Sequence, residues 1–445
     1  MLLIHAGSRD WDEGVYWQSI RALVRGEPLF RSVYASQPPA FYYALVPLYL
    51  LSHSLAALRI SVLFFAVVGL VAGYWAARSL AGFPAAVIAL LLLATSPMYI
   101  HEAAIVQADM PSAAMTLLAL ALTLAATRAS RIVATRLAVL AGLALAVAIG
   151  AKFFGLLAIL PIGLLLITPR RQPFRVLLGF AAGLLAGLVL VMVPAFPALG
   201  AAYQQMIGGH VAATRTVYAS FGGNLSVLLR AGALPLIGVA ILAAAIAIQR
   251  RDPRIIAPLA WSSLGTIALL LYQPLYPHHV LLLVPALALT VAVGFADLAA
   301  WRPGWVAPST AMATLAAAIG LVIGLQDAQH ALIPNGRDVA LATAIEAASL
   351  PGQYVISDNP YAVALANRDL PGPMVDTSGA RTAAGLLTTA GLDTAKDDYG
   401  VTVILTDSGR LQGVPGFSRW LASDFRQVRP IGPHASLYAA RPEPN

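Results

Sequence analysis

The sequence has no cysteine in 445 residues, which excludes disulfides, thiolate metal sites and a cysteine nucleophile. Charge is also scarce: 11% of residues are charged and 59% are hydrophobic, whereas a globular domain carries about 25% charged residues. This composition excludes disordered and collagen-like chains and predicts a polytopic membrane protein. Lysine is nearly missing, with only Lys152 and Lys396 present, so the net charge of +8 is carried almost wholly by arginine. The arginines fall in short clusters between apolar runs, where they read as positive-inside topology markers rather than nucleic-acid contacts. No nucleic-acid partner is expected.

Acidic residues are rare in the middle of the chain. Asp10, Asp12, Glu13 and Glu27 crowd the head, only Glu102, Asp109, Asp252 and Asp297 lie between residues 28 and 326, and the remainder begin at Asp327. The expected organisation is mostly α: an acidic first loop over 1–38, a transmembrane helical bundle over 39–326, and a small α/β soluble domain over 337–445. Apolar windows of about 20 residues place spans near 57–78, 83–98, 110–127, 136–150, 153–168, 175–195, 228–249, 255–272, 279–298 and 305–325. Arg78; Arg128, Arg131 and Arg136; Arg170, Arg171 and Arg175; Arg250, Arg251 and Arg254; and Arg302 follow every second span. All of them face the cytoplasm only if the spans alternate as given, which puts the head, the 99–109 loop and the tail outside.

The apolar run PAFYYALVPLYLLSH at 39–53 breaks this alternation if it crosses, so it is read as a re-entrant or interfacial helix. An outward head with no span before it also predicts a first helix encoded upstream of Met1. In the tail, YVISD and VTVILTD read as buried strands, YAVALANR, TAAGLLTTAG and FSRWLASDF as helices, and SLYAAR as an edge strand.

Several polar residues sit where the outer membrane surface is expected. Asp12 and Glu13 in WDEGVYW point about 100° apart on a helix, so one of them at most faces a given site, whereas Tyr16 shares the face of Asp12. An acidic, solvated head is the plain alternative. Asp109 opens the helix in QADMPSAAM, where an Asp is also a routine N-cap, and Glu102 lies one to two turns earlier. Lys152, the single lysine of the membrane body, either snorkels or holds a lipid phosphate. His278 and His279 suit phosphate, a metal or a helix cap. Gln37 precedes a rigid Pro38-Pro39 element.

The order of these features resembles a family. The stretch DWDEGVYWQSIRALVRGEPLFRSVYASQPPAFYYALVP is similar to the first outer loop of membrane-embedded GT-C glycosyltransferases of the protein-mannosyltransferase and aminoarabinose-transferase type. The likeness continues through SLAALRISVLFFAVVG, the ATSP turn, GAKFFGLLAILP and HHVLLLVPALA, and covers nearly all of residues 10–300. It implies that Asp12 and Glu13 match the family's first-loop acidic motif and that Asp109 matches its second-loop acid. The family often has a lysine before the Pro-Pro, where this chain has Gln37, and the phosphate role then shifts to Lys152 or to His278 and His279.

The resemblance implies transfer of one sugar, with inversion, from a polyprenyl-phosphate donor to a lipid, glycan or protein acceptor on the outer face of the plasma membrane. Asp12 is the expected base, with Glu13 and Asp109 tuning it or holding sugar hydroxyls. Lys152, His278 and His279 are the expected contacts for the leaving phosphate, and Tyr16, Glu102 and Gln37 are expected to position substrate. A divalent metal between the two acidic sites fits the same picture, since some GT-C enzymes use one. The competing reading is a lipid or glycan transporter, which predicts repeated halves and ionisable residues deep within spans. A third is an inactive relative whose tail binds cell-wall glycan.

Overall fold

The computed structural model describes residues 7, 10–167, 173–214, 220–332, 336–432 and 434–441. Arg170 and Arg171 of the third basic cluster lie outside the described residues. Ten helices build the first half: α1 (Trp11–Val24), α2 (Pro39–Ser52), α3 (Leu55–Thr95), α4 (Pro97–Glu102), α5 (Asp109–Ala126), α6 (Arg131–Ala151), α7 (Ile159–Ile167), α8 (Pro173–Met192), α9 (Leu199–Tyr203) and α10 (Gly209–Thr214). The body continues with α11 (Phe221–Leu228), α12 (Leu234–Gln249), α13 (Ile256–Leu271), α14 (Val284–Trp301) and α15 (Val306–Leu332). The chain is a multi-pass membrane protein. Among the described residues seven helices are long and apolar enough to cross a bilayer, or eight if the bent α11–α12 pair counts as one span.

That number is below the ten apolar windows for identifiable reasons. Two windows fall within α3, which leaves helical geometry at Ala81 and Gly82, where Gly82 takes φ 86°. Gly73 then packs against Leu93, twenty positions on, and the Tyr99 hydroxyl donates to the Ala66 carbonyl at 2.6 Å. A straight helix would separate Gly73 from Leu93 by about 30 Å, so α3 is a helical hairpin. The 153–168 window forms a 3₁₀ turn (Phe153–Ala158) followed by the nine-residue α7, too short to count by length.

Helix directions follow from close packing. Gly179, Gly183 and Gly187 of α8 meet Thr135, Val139 and Ala146 of α6 in rising order, so the two helices run parallel, with α7 returning between them. Small residues allow this approach: a Cβ on Gly142 or Gly183 would overlap the backbone opposite. At one end of the bundle Arg128 donates to the Ser79 carbonyl, Thr135 meets Gly179, and Arg250 and Arg254 pair with Asp297. At the opposite end of the same helices, Lys152 pairs with Asp109 and His278 approaches Asp10. The basic loops thus share one end, where Asp252 and Asp297 pair with arginines, and Asp10, Asp109 and Lys152 lie at the other, acidic end. Both ends of α2 lie at the acidic end, because Ala40 packs near Gly150 and Arg59, four residues into α3, pairs with Glu13.

The tail contains α16 (Gly336–Ala348), β1 (Val355–Ser357), α17 (Pro360–Leu365), α18 (Gly379–Ala383), α19 (Thr389–Tyr399), β2 (Val403–Thr406), α20 (Phe417–Asp424), β3 (Phe425–Pro430) and β4 (Ser436–Ala440). The strand order is β1-β2-β4-β3, with β1 and β2 parallel and the other pairs antiparallel. SLYAAR, expected at an edge, is therefore an inner strand, because β3 covers its far side. TAAGLLTTAG is not one helix: α18 ends before Gly385, which takes φ 69°, and α19 starts at Thr389.

The tail is bound to the head along α1. Gln18 donates to the Arg368 carbonyl at 3.1 Å and accepts from the Leu370 N–H, while Arg21 and Arg25 both reach Asp369 at 2.7 Å. Gly14 lies so close to the Tyr361 backbone that any side chain there would overlap it.

Candidate functional site

Head, body and tail enclose one cavity of about 570 Å³ at the acidic end of the bundle. From the head come Asp10, Asp12 and Tyr16, then Tyr34, Ser36 and Gln37. Helix ends of the body supply Lys152, His210, His278 and His279, and the tail closes the far side with Asp376, Arg381 and Arg410. A larger depression of about 900 Å³ lies along α15, but its polar side chains are only Thr310 and Thr314, as expected of a face turned to lipid.

Asp10 caps α1, accepting the Asp12 N–H at 2.8 Å. One residue into the helix, Asp12 faces the cavity, and Tyr16 follows it one turn on. Gln107 donates weakly to Asp12 at 3.5 Å, and Gln37 donates to the Tyr16 hydroxyl at 3.2 Å. Burial pushes the Asp12 carboxyl up to about 6, and the neighbouring Asp10 and Asp376 charges add to this against His278 and Lys152. Burial also pushes Asp10 up, but its hydrogen bond and attraction to His278 outweigh that and hold it below the usual carboxylate range. The adjacent carboxylates thus differ, one firmly ionised and one titrating near neutrality. Burial raises the Tyr16 phenol well above its ordinary value, so it stays a proton donor.

Glu13 does not reach the cavity. About 100° round α1 from Asp12, it is fully buried, pairs with Arg59 through both oxygens at 2.8 and 2.6 Å, and accepts the Val106 N–H at 3.1 Å. Its place is structural: it ties α1 to α3 and to the loop before α5. Glu102 is likewise buried outside the cavity lining, with His101 at 3.8 Å.

Asp109 stands in the first turn of α5, one position after the cap residue Ala108, and is nearly buried. It meets the Lys152 ammonium at 2.6 Å. Lys152 lies where α6 ends, with its Nζ 5.6 Å from the centre of the Phe154 ring. Of this pair only Lys152 lines the cavity, and Asp109 lies behind it as its ion-pair partner. His278 sits 3.8 Å from Asp10, and His279 accepts the Tyr276 N–H through Nδ1 at 3.3 Å. The residues do not compose a metal cradle: Asp109 is committed to Lys152, and among the described residues no three His, Asp or Glu side chains are placed to hold an ion.

Sequence reasoning brought forward Asp12, Tyr16, Gln37, Lys152, His278 and His279, which share this cavity. It missed Asp10, whose signal is its position as the cap of α1, and His210, on the short helix α10. It also missed Asp376, Arg381 and Arg410, which lie more than 360 residues from Asp12.

Residues 25–208 match the family model of dolichyl-phosphate-mannose-protein mannosyltransferase. ArnT from Cupriavidus metallidurans, solved with undecaprenyl phosphate, superposes with a TM-score of 0.71 at 16% identity, covering 99% of this chain and 96% of that one. The oligosaccharyltransferase of Archaeoglobus fulgidus gives 0.57 at 15% identity, covering 97% and 70%. The arabinofuranosyltransferase AftD from Mycobacteria gives 0.52 at 15%, covering 96% and 37%. A comparison with curated protein sequences gives no match. The fold is that of the GT-C glycosyltransferases.

Proposed function

We propose that the chain is an inverting membrane glycosyltransferase that moves one sugar from a polyprenyl-phosphate donor to an acceptor hydroxyl in this cavity. The observation that carries the reading is the convergence of Asp12 with Lys152, His278 and His279, drawn from three distant segments, on one cavity of a GT-C fold. The family match over residues 25–208 and the undecaprenyl phosphate bound to ArnT support the same chemistry. A transporter is not favoured: the ionisable groups of the body lie at the ends of its helices rather than deep within them.

In the reaction, Asp12 takes the proton of the acceptor hydroxyl as its oxygen attacks the anomeric carbon. The bond from that carbon to the phosphate oxygen breaks, and polyprenyl phosphate leaves as an anion. Lys152, oriented by Asp109, and the imidazoles of His278 and His279 stabilise the charge developing on that oxygen. Attack opposite the leaving group inverts the anomeric centre. Tyr16 and Gln37, joined by a hydrogen bond, present donors to sugar hydroxyls. With the basic loops cytoplasmic, the cavity and the tail face outward from the plasma membrane, and the apolar bundle beside the cavity takes the prenyl chain.

Incubating sealed vesicles of both orientations with radiolabelled polyprenyl-phosphate sugars tests chemistry and sidedness together. Label should pass into lipid, glycan or protein where the extracytoplasmic face is accessible. Movement of intact donor across the bilayer with no transfer to any acceptor contradicts the reading.

A further inference from the structure

On the tail, the central cavity is bordered by a second hollow. A groove of about 460 Å³ runs between α18 and the loop after β2, lined by Gly379, Thr382, Ser408, Gly409, Arg410 and Pro415, and it shares Gly379 and Arg410 with the central cavity. Its lining residues are small, with Thr382, Ser408 and Arg410 the polar ones, unlike the long apolar side chains of the bundle on the donor side.

Arg410 stands where the groove meets the cavity, and Arg381 lines the cavity alone. Buried Asp358 accepts the backbone N–H groups of Asp407 at 2.7 Å and of Arg410 at 3.0 Å, while its carbonyl accepts the Trp11 indole N–H at 3.0 Å. One residue therefore fixes both the Arg410 loop and the ring beneath it, and the Arg410 guanidinium lies 4.3 Å from the centre of the Trp11 ring. Arg381 is nine-tenths buried, lies 4.0 Å over the Tyr34 ring and gives one nitrogen to the Pro373 and Asp376 carbonyls, leaving its buried Nε with no hydrogen-bond partner. Of the other buried cations at this end, Arg59 and Lys152 are each neutralised by a carboxylate at 2.6 Å, and Arg368 spends its donors on Ser349 and on the Ala366 and Asn367 carbonyls. Among the described residues neither Arg381 nor Arg410 has a carboxylate within ion-pair distance. A guanidinium held in place by aromatic rings and backbone, with no carboxylate at ion-pair distance, is arranged for a planar or tetrahedral oxyanion.

Resting on the transferase reading, we infer that this groove is the acceptor's entrance and that Arg410 and Arg381 bind an anionic group, a phosphate or a carboxylate, carried by the acceptor. The donor phosphate then stays at the membrane-side wall with Lys152, His278 and His279, and the two substrates approach Asp12 from opposite openings.

The test uses the full chain in detergent and measures binding of glucose 6-phosphate, glucuronate and glucose, and separately of polyprenyl phosphate. The two anions should bind in preference to glucose, and stronger binding of one over the other tells a phosphate-bearing from a carboxylate-bearing acceptor. Arg410→Gln should weaken the anions about tenfold or more, the worth of a charge-assisted hydrogen bond, with Arg410→Lys recovering part and polyprenyl phosphate unaffected. Arg410 is half-buried and its side chain only stacks on Trp11, so this variant folds even if Arg381→Gln does not. Equal binding of anions by wild type and Arg410→Gln overturns the inference, and so does a parallel loss of polyprenyl phosphate, which would assign the arginines to the donor. If the wild type transfers no sugar the transferase reading fails, while anion binding and its loss in Arg410→Gln still decide the site.

Discussion

At the scale of single residues, two adjacent carboxylates in one helical turn have separate fates. Asp12 faces a void in which burial raises it from 3.8 to about 6; Glu13 faces the interior, where Arg59 neutralises it. A base that must be ionised at the start of the reaction gives a rate that rises with pH through its pKa, so the acid limb of kcat/KM should lie near pH 6. A limb near 4 would mean that Asp12 is not the titrating base. The same shift sets a stability effect. Folding favours the protonated carboxyl, so the stability Asp12 contributes is present at low pH and is lost as pH rises through about 6. At pH 7.5 its charge is a net cost, and Asp12→Asn should leave the thermal midpoint unchanged or raised while transfer falls by about 10²-fold or more. Glu13→Ala should do the opposite, stranding the Arg59 charge and costing about 3–5 kcal/mol, seen as early thermal aggregation in detergent. The helical angle between the two residues was readable from the sequence, but which of them faced the site depended on Arg59, 46 positions away.

At the scale of elements, apolar runs located the membrane helices well because hydrocarbon requires length and apolarity and little else. Their pairing was less legible. The α6–α8 contact rests on glycines that look incidental in an Ala/Leu-rich chain, and only packing shows Gly183 against the Val139 carbonyl. Gly183→Leu should overpack this contact at a cost of about 1–3 kcal/mol and lower the thermal midpoint, whereas Gly163→Leu, where an added Cβ meets nothing, should be tolerated. A melting curve of each purified variant checks the pair. In the tail, TAAGLLTTAG had helical composition, but a left-handed backbone at Gly385 ends the first helix. β3, Phe425–Pro430, was missed because its FRQVRP sequence exposes nearly every side chain and lacks a buried alternation.

At the scale of the whole molecule, the site exists only where head, body and tail meet. Hydropathy separated these regions along the chain, yet gave no means of telling that the tail folds back onto α1 through Gln18, Arg21 and Arg25, or that Asp376, Arg381 and Arg410 complete a cavity begun by Asp12. The central claim is that this assembled cavity transfers a sugar with Asp12 as the base. Its most direct test is a paired measurement on purified wild type and Asp12→Asn: sugar transfer from a polyprenyl-phosphate donor, and binding of the unreactive polyprenyl phosphate. The variant keeps the size and most of the hydrogen-bonding capacity of the side chain but not its basicity, so transfer should fall by about 10²-fold or more with lipid binding nearly unchanged. Transfer by Asp12→Asn at the wild-type rate would contradict the account.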